Sequence, residues 1–117
     1  KKELQKVHHL RFAAKNKETW SLIKSGKKKI ETRAGTVKYQ KVKAGDSVLL
    51  SCGTGSFKKK IVKVSHFKSF ASLFRKYPPN TIHPGIGSAQ NMITQYHSFP
   101  NYKEKIKDFG ILAFELE

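Results

Sequence analysis

The sequence predicts an α+β fold, a small mixed β-barrel of about five strands with flanking helices. Five segments have the composition of strands, and they occur in the order strand, helix, three strands, helical insertion, returning strand. The insertion carries two apolar stripes at helical spacing. A sheet that closes on itself leaves the fewest exposed edges, so we expect a barrel with the helices at its side and mouth.

The first half of the chain is predicted to contain two strands joined by a helix. Residues 7–13 form the first strand, and Asn16 caps a helix over about 17–25. Gly26 ends that helix, because glycine enters the left-handed conformation without steric cost. The second strand follows within 26–33.

The middle of the chain is predicted to be a hairpin. Its strands cover residues 47–52 and 57–67, with the turn at 52–56. On the second of these, Val62 and Val64 share one face and Ile61 lies on the other. Lysines 58–60 place cations on both faces at its start, which either protects an exposed edge or follows a phosphate backbone.

The second half is predicted to be helical until its last strand. Ser69 caps a helix, and a second helix covers about 88–97. Asn101 followed by Glu104 predicts the cap of a last helical turn. Residues 80–87 are predicted as a loop and 110–117 as the closing strand.

The composition indicates one domain with a polyanionic partner. The 117 residues include 24 Lys and Arg against 8 acids, a net charge of +16. Residues 1–66 carry +14 of it and residues 67–117 carry +2. We assign residues 1–6 to a basic lead-in and 7–117 to the domain. Repulsion at this net charge is relieved most simply by nucleic acid.

Several other classes of protein and site fit the sequence poorly. One cysteine, Cys52, allows no internal disulfide and fits a reducing compartment, so we expect the cytoplasm, or the nucleus in a eukaryote, and no secretion. No apolar run approaches the roughly 20 residues of a membrane span. Scattered histidines and few acids predict no metal and no cofactor, and they disfavour a two-metal nuclease.

The stretch from Gly26 to Arg33 is the candidate site. On a strand Glu31 and Arg33 share one face, and Lys28 lies within reach of them. One interpretation is an anion or nucleotide pocket, in which the cations bind phosphate and Glu31 accepts a hydrogen bond from a base amino group. The other is a surface ion pair beside solvated lysines.

The pattern Gly26-x-Lys28-x-x-Glu31-x-Arg33 after a short helix resembles the ASCH domain family of the PUA-like superfamily. Gly45-Asp46 before a strand and the terminal stretch 110–116 extend the likeness over most of the chain. The resemblance implies a PUA-like barrel whose cleft binds RNA or a modified nucleotide through Lys28, Glu31 and Arg33. Some family members hydrolyse N4-acylated cytidine with a lysine, a threonine and a glutamate. Here Glu31 replaces that threonine, and strand 57–67 has no acid.

We therefore expect a nucleic-acid-binding domain, with RNA or a nucleotide-sized ligand as partner, no membrane association and a monomeric state. The alternative is a metal-independent nucleoside or nucleotide hydrolase, amidohydrolase or ribonuclease-like, with Lys28 as base or nucleophile and Glu31 as its proton partner. A scaffold for acidic proteins would use the same basic face. Eight residues are predicted to contact the ligand: Lys27, Lys28, Lys29, Glu31, Arg33, Tyr39, Lys58 and Lys60.

Overall fold

A computed structural model describes residues 6–117. The predicted basic lead-in therefore lies outside the described residues, except for Lys6. A short 3₁₀ turn at Ala14–Asn16 precedes the first helix. The strands and helices are β1 (Val7–Phe12), α1 (Lys17–Ser25), β2 (Ile30–Ala34), α2 (Val37–Gln40), β3 (Ser47–Cys52), β4 (Gly55–Phe67), α3 (Phe70–Lys76), α4 (Pro79–Ile82), α5 (Ala89–His97), α6 (Tyr102–Phe109) and β5 (Ile111–Leu116).

The predicted α+β class is confirmed, and the five strands form one mixed sheet that curls into a half-barrel. Its order is β1-β3-β4-β5-β2. β1 pairs in parallel with β3, and the other neighbours are antiparallel. Within the described chain, β1 and β2 are the two edges of this sheet, and the space between them is where the candidate site lies.

Two hydrophobic cores lie on opposite faces of the sheet. The first fills the concave side, where Trp20 and Ile23 of α1 pack against the sheet. The second lies between the other face and the helical insertion. β5 contributes to both, because Leu112 and Phe114 point into the first core while Ile111 and Ala113 point into the second.

The prediction for the faces of β4 is wrong at one place. The pairing of β4 with β5 shifts register between Ile61 and Lys63. This irregularity adds a residue to one strand and so breaks the two-residue alternation. As a result Ile61 and Val64 both pack in the first core, whereas Val62 is 51% exposed.

The helix ends follow the sequence only in part. Asn16 stands at the N-terminal cap position of α1, but the prediction that it caps the helix is wrong for its side chain, which makes no cap hydrogen bond. Gly26 adopts the left-handed conformation with φ 85°, and the Ser69 hydroxyl accepts a hydrogen bond from the Ser72 N–H. The capping prediction for Asn101 is wrong, since this residue is itself left-handed (φ 61°) and its side chain caps nothing. The predicted loop 80–87 begins inside the short helix α4.

The lysines of β4 do not protect a sheet edge. β4 lies between β3 and β5, so its backbone groups are already paired on both sides. Edge protection is therefore excluded as the reason for the run 58–60. Over residues 6–117, no helix is long and apolar enough to cross a membrane.

Candidate functional site

A cavity of about 160 Å³ lies between the two sheet edges. β2 forms one wall, the end of β1 the second, and helices α4 to α6 the third. An engineered cavity of about 150 Å³ in another protein holds benzene, so this space suits one six-membered ring. Its lining comprises Arg11, Phe12, Asn16, Thr19, Lys28, Glu31, Thr32, Arg33, His83, Met92, Gln95, Tyr96, Phe99 and Tyr102.

Lys28 is buried beside the cavity and ties two elements together. Its Nζ donates to the carbonyl oxygens of Ile30 on β2 and Ile82 on α4, both at 2.5 Å. The same nitrogen lies 3.6 Å from Glu31 Oε1. Only 3% of the residue is exposed, so its ammonium is held by protein groups rather than by water.

Glu31 and Arg33 form the polar centre of the site. Arg33 donates from Nε and Nη2 to the same carboxylate oxygen, Oε2, at 3.2 and 3.0 Å. The guanidinium carbon also lies 4.9 Å from the ring centre of Phe12 on β1, so Arg33 bridges the two sheet edges. No described residue donates a hydrogen bond within 3.5 Å to Glu31 Oε1, whose nearest cation is Lys28 Nζ at 3.6 Å, so this oxygen can accept from a further donor in the cavity.

Burial and neighbouring charges set the protonation of the cations. Burial lowers the pKa of the Lys28 ammonium, and the Glu31 carboxylate offsets part of that shift. Burial also acts to lower the pKa of Arg33, but Glu31 together with Tyr39 and Tyr102 outweighs it, and the net direction is upward. Burial, followed by repulsion from Lys28, lowers the pKa of His83, which keeps this imidazole neutral at pH 7.

The free edge of β2 faces the cavity. Leu116 N–H donates to Lys29 O, and Gly35 N–H donates to Gly110 O, so the odd-numbered residues from 29 to 35 exchange hydrogen bonds with β5. In an antiparallel pair the alternate residues point their N–H and C=O away from the partner. Residues 30, 32 and 34 therefore present backbone groups at this edge.

Aromatic side chains form the wall contributed by the helices. Tyr96 is 7% exposed, and its hydroxyl shares a hydrogen bond with Thr32 Oγ1. The Tyr96 ring lies nearly parallel to that of Tyr102, with centroids 6.3 Å apart. Burial raises the pKa of both phenols, so both stay neutral. The wall therefore offers flat apolar surface without adding charge.

The convex faces of β1, β3 and the first half of β4 form a basic surface that we call the outer face. Lys58 and Lys60 lie here, opposite Leu49 and Ser47 of β3. Across β3 the next positions are His9 and Val7, and Arg11 lies opposite Ser51. Residues 7–12, 47–52 and 55–60 contain no acid. Arg11 is exposed on this surface and also lines the cavity.

The structure brings together three of the eight residues predicted to contact a ligand. Lys28, Glu31 and Arg33 meet at the cavity. Tyr39 stands behind them, with its hydroxyl 3.5 Å from Arg33 Nη1. The other four lie elsewhere. Lys58 and Lys60 are on the outer face, Lys29 lies beside a second hollow near the end of β5, and Lys27 is exposed between α1 and β2.

Most of the cavity lining was not predicted from the sequence, including the polar residues Arg11, Thr32, His83 and Gln95. His83 and Gln95 come from the helical insertion, whose position over β2 leaves no local signal. Alternation along the strand places Thr32 on the face opposite Glu31, and it reaches the cavity because β2 is an edge strand. No three His, Cys, Asp or Glu side chains within residues 6–117 gather closely enough to hold a metal ion.

Comparison with known proteins supports the fold and assigns no activity. No protein-family model and no curated protein sequence matches the chain. Among solved structures, the crystal structure of hypothetical protein PH0355 matches with 29% identity and a TM-score of 0.80, covering 97% of this chain and 98% of that one. The solution structure of protein PF0455 from Pyrococcus furiosus matches with 29% identity and a TM-score of 0.71, covering 97% and 96%. The chain is thus similar over almost its whole length to two small proteins whose names state no function.

Proposed function

We propose that this protein is an ASCH-type nucleic-acid-binding domain, with RNA as its ligand and one base held in the cavity between β1 and β2. The observation that carries the proposal is the continuity of two surfaces. Arg11 belongs both to the cavity lining and to the acid-free outer face. A base in the cavity would therefore sit at the end of a cationic surface that suits the phosphates on either side of it.

The chemistry of the cavity fits a nucleobase. Glu31 Oε1 is a free acceptor for an exocyclic amino group, and the carboxylate is held in place by Arg33. The aromatic wall supplies flat apolar surface of the kind on which bases stack, worth about 1–3 kcal/mol per base. The volume admits one ring, so the cavity suits a single unstacked base.

The outer face supports a polymer rather than a free nucleotide. Lys58 and Lys60 lie on a central strand, where edge protection does not explain them. From Arg11 on β1 to Lys60 on β4 the outer face crosses two strand spacings and runs four residues along β4. At ordinary sheet spacings this distance is about 17 Å. That length accommodates at most about five stacked nucleotides at about 3.4 Å each.

Salt-dependent binding of a single-stranded 10-nucleotide RNA, measured by fluorescence anisotropy, tests the proposal. Each neutralised phosphate contributes a slope of about −0.7 to log K against log salt. The double variant Lys58→Gln with Lys60→Gln should make the slope of log K against log salt about 1.4 less steep. It should also weaken RNA binding about 25-fold at 0.1 M salt. Both residues are exposed, so the fold should tolerate the change.

Lys103→Gln with Lys105→Gln is the matched control. These two lysines are also exposed and two residues apart, but they lie on α6. The control removes the same charge and should change the slope by less than half as much. Equal effects of the two double variants would mean that only net charge matters, and RNA binding that does not change with salt would overturn the proposal. Stronger displacement of the RNA by polyglutamate than by unlabelled RNA would instead identify an acidic protein as the partner.

Hydrolysis of a nucleoside or nucleotide is the second candidate function, and one observation favours it. Burial lowers the pKa of Lys28, as a catalytic amine requires, and its Nζ lies 3.6 Å from Glu31. Against this, two backbone carbonyls already hold that nitrogen. Turnover of N-acylated nucleosides or of RNA that is abolished in Lys28→Met, while the variant still binds the 10-mer, would establish this function. Equal turnover by wild type and variant would exclude Lys28 from the chemistry.

A further inference from the structure

Residues 30, 32 and 34 point their backbone groups to the free edge of β2. Among them, Thr32 is the one whose N–H and C=O both lack a hydrogen-bond partner in the described chain. Its neighbours on this edge have at least one partner each, since Ile30 O accepts from Lys28 Nζ and Ala34 N–H donates to the hydroxyl of Tyr102. Ala34 O accepts from Thr36 N–H. No described group bonds the N–H or the C=O of Thr32, and the residue is only 6% exposed.

More than nine in ten buried backbone N–H and C=O groups in native proteins are paired, because leaving one without a partner is costly. An unsatisfied buried group costs about 1–3 kcal/mol. Here both groups belong to one residue and point the same way from the strand, and that residue lines the cavity. Their natural complement is a ligand with an acceptor and a donor side by side, because that is what the next strand of a sheet would present.

From this geometry we infer that Thr32 reads the pairing edge of the bound base through its own backbone. The base lies edge-on to β2, its ring acceptor taking the Thr32 N–H and its adjacent donor giving to the Thr32 C=O. It thus occupies the place of a sixth strand, as an added peptide strand does on a sheet edge. The inference rests on the proposed function and names the part of the base that the cavity recognises.

Two further groups complete the recognition of this base. Gln95 projects from α5 into the cavity, and no described residue bonds its side-chain amide. Glu31 Oε1 adds its free acceptor from the strand side. A ring in the plane of the sheet would have the Arg33 guanidinium towards one face and Tyr96 towards the other, because these side chains leave β2 and α5 on opposite sides of that plane. The ligand class is therefore a planar heterocycle with an unblocked donor–acceptor edge.

The test is an NMR titration of uniformly ¹⁵N-labelled protein with each of the four nucleoside 5′-monophosphates. The best binder is then compared with its counterpart methylated on the ring nitrogen of the pairing edge. We expect the Thr32 amide proton to move downfield and its hydrogen exchange to slow about tenfold or more. The amides of Arg33 and Ala34 serve as internal controls, because the first pairs with β5 and the second is already bonded to Tyr102. The methylated nucleotide should bind about tenfold more weakly or worse, since it cannot make both bonds.

The possible failures separate this inference from the proposed function. Nucleotide binding that shifts the Arg33 side-chain signals but leaves the Thr32 amide unchanged would overturn the backbone contact and leave the domain a nucleic-acid binder. Equal affinity for the methylated and unmethylated nucleotides would do the same. If neither the monophosphates nor the 10-nucleotide RNA perturbs any signal, the proposed function is wrong and this inference falls with it.

Discussion

Replacing the Glu31 carboxylate with an amide is predicted to destabilise the protein by about 3–5 kcal/mol. In Glu31→Gln the change in shape is small, but two buried cations lose the carboxylate that pairs with both of them. The side chains of Lys28 and Arg33 are 2% and 15% exposed, so water does little to replace the lost charge. At an effective dielectric of about 20, the 3.6 Å contact with Lys28 alone corresponds to about 4–5 kcal/mol of attraction.

That loss is a large fraction of the stability of a domain of this size. At about 0.05–0.15 kcal/mol per residue, 117 residues give a free energy of unfolding of about 6–18 kcal/mol. The melting temperature should fall by roughly 10–20 °C. Urea unfolding is followed conveniently by the fluorescence of Trp20, the single tryptophan, which is buried in the first core.

The matched control for this prediction is Glu104→Gln. Glu104 is also flanked by lysines, at 103 and 105, but it is exposed on α6, so its replacement should change the free energy of unfolding by less than about 0.5 kcal/mol. Combining Glu31→Gln with Lys28→Met removes both charges and should cost less than the sum of the single changes, by about 1–3 kcal/mol. A loss in Glu31→Gln no greater than in the control would contradict the prediction, because it would show that the site is hydrated.

Three other outcomes are expected from the structure. Burial lowers the pKa of Lys28 in the folded protein below its ordinary 10.5, so between these two pKa values the unfolded state binds more protons than the folded state. The free energy of unfolding of the wild type should therefore rise with pH in this range by a contribution that Lys28→Met lacks. Urea denaturation at several alkaline pH values measures it. Gly110→Ala should cost at least about 2 kcal/mol more than Gly45→Ala in urea unfolding, because both positions have positive φ but only at Gly110 would the new Cβ lie 2.5 Å from a carbonyl oxygen. Slight burial acts to raise the pKa of Asp46, but hydrogen bonds from His8 and two backbone N–H groups lower it below 3.8, so the stability it adds is present above that pH and lost in stronger acid. Acid unfolding of Asp46→Asn should therefore lack this loss.

Local patterns predicted the individual elements well. The bounds of α1 and β3 agree with the prediction, and the end of α1 does so because Gly26 acts within a few positions of itself. The irregularity after Ile61 and the left-handed Asn101 were missed, since each is settled by the strand or helix that packs against it. Local patterns also could not predict how far the sheet closes into a barrel, because this depends on whether the edge strands β1 and β2 meet.

The candidate site was predictable only where it lies on one strand. Alternation along β2 placed Glu31 and Arg33 together, and the structure agrees. Contributions from Arg11, His83 and Gln95 depend on contacts between segments that are distant in the sequence, about 20 residues for Arg11 and more than 40 for the other two, which no short pattern encodes. The position of Lys58 and Lys60 likewise required the strand order, because an isolated hairpin does not show whether β4 is central.

The position of β5 between the two cores has a consequence for biosynthesis. Both cores stay open until this strand, the last of the described elements in the chain, is inserted between β4 and β2. A ribosome-bound nascent chain that ends before residue 111 should therefore lack the final tertiary structure and expose apolar side chains to chaperones. Folding would then be concerted and late, and arrested nascent chains of increasing length should gain protease resistance in one step, once β5 has left the exit tunnel.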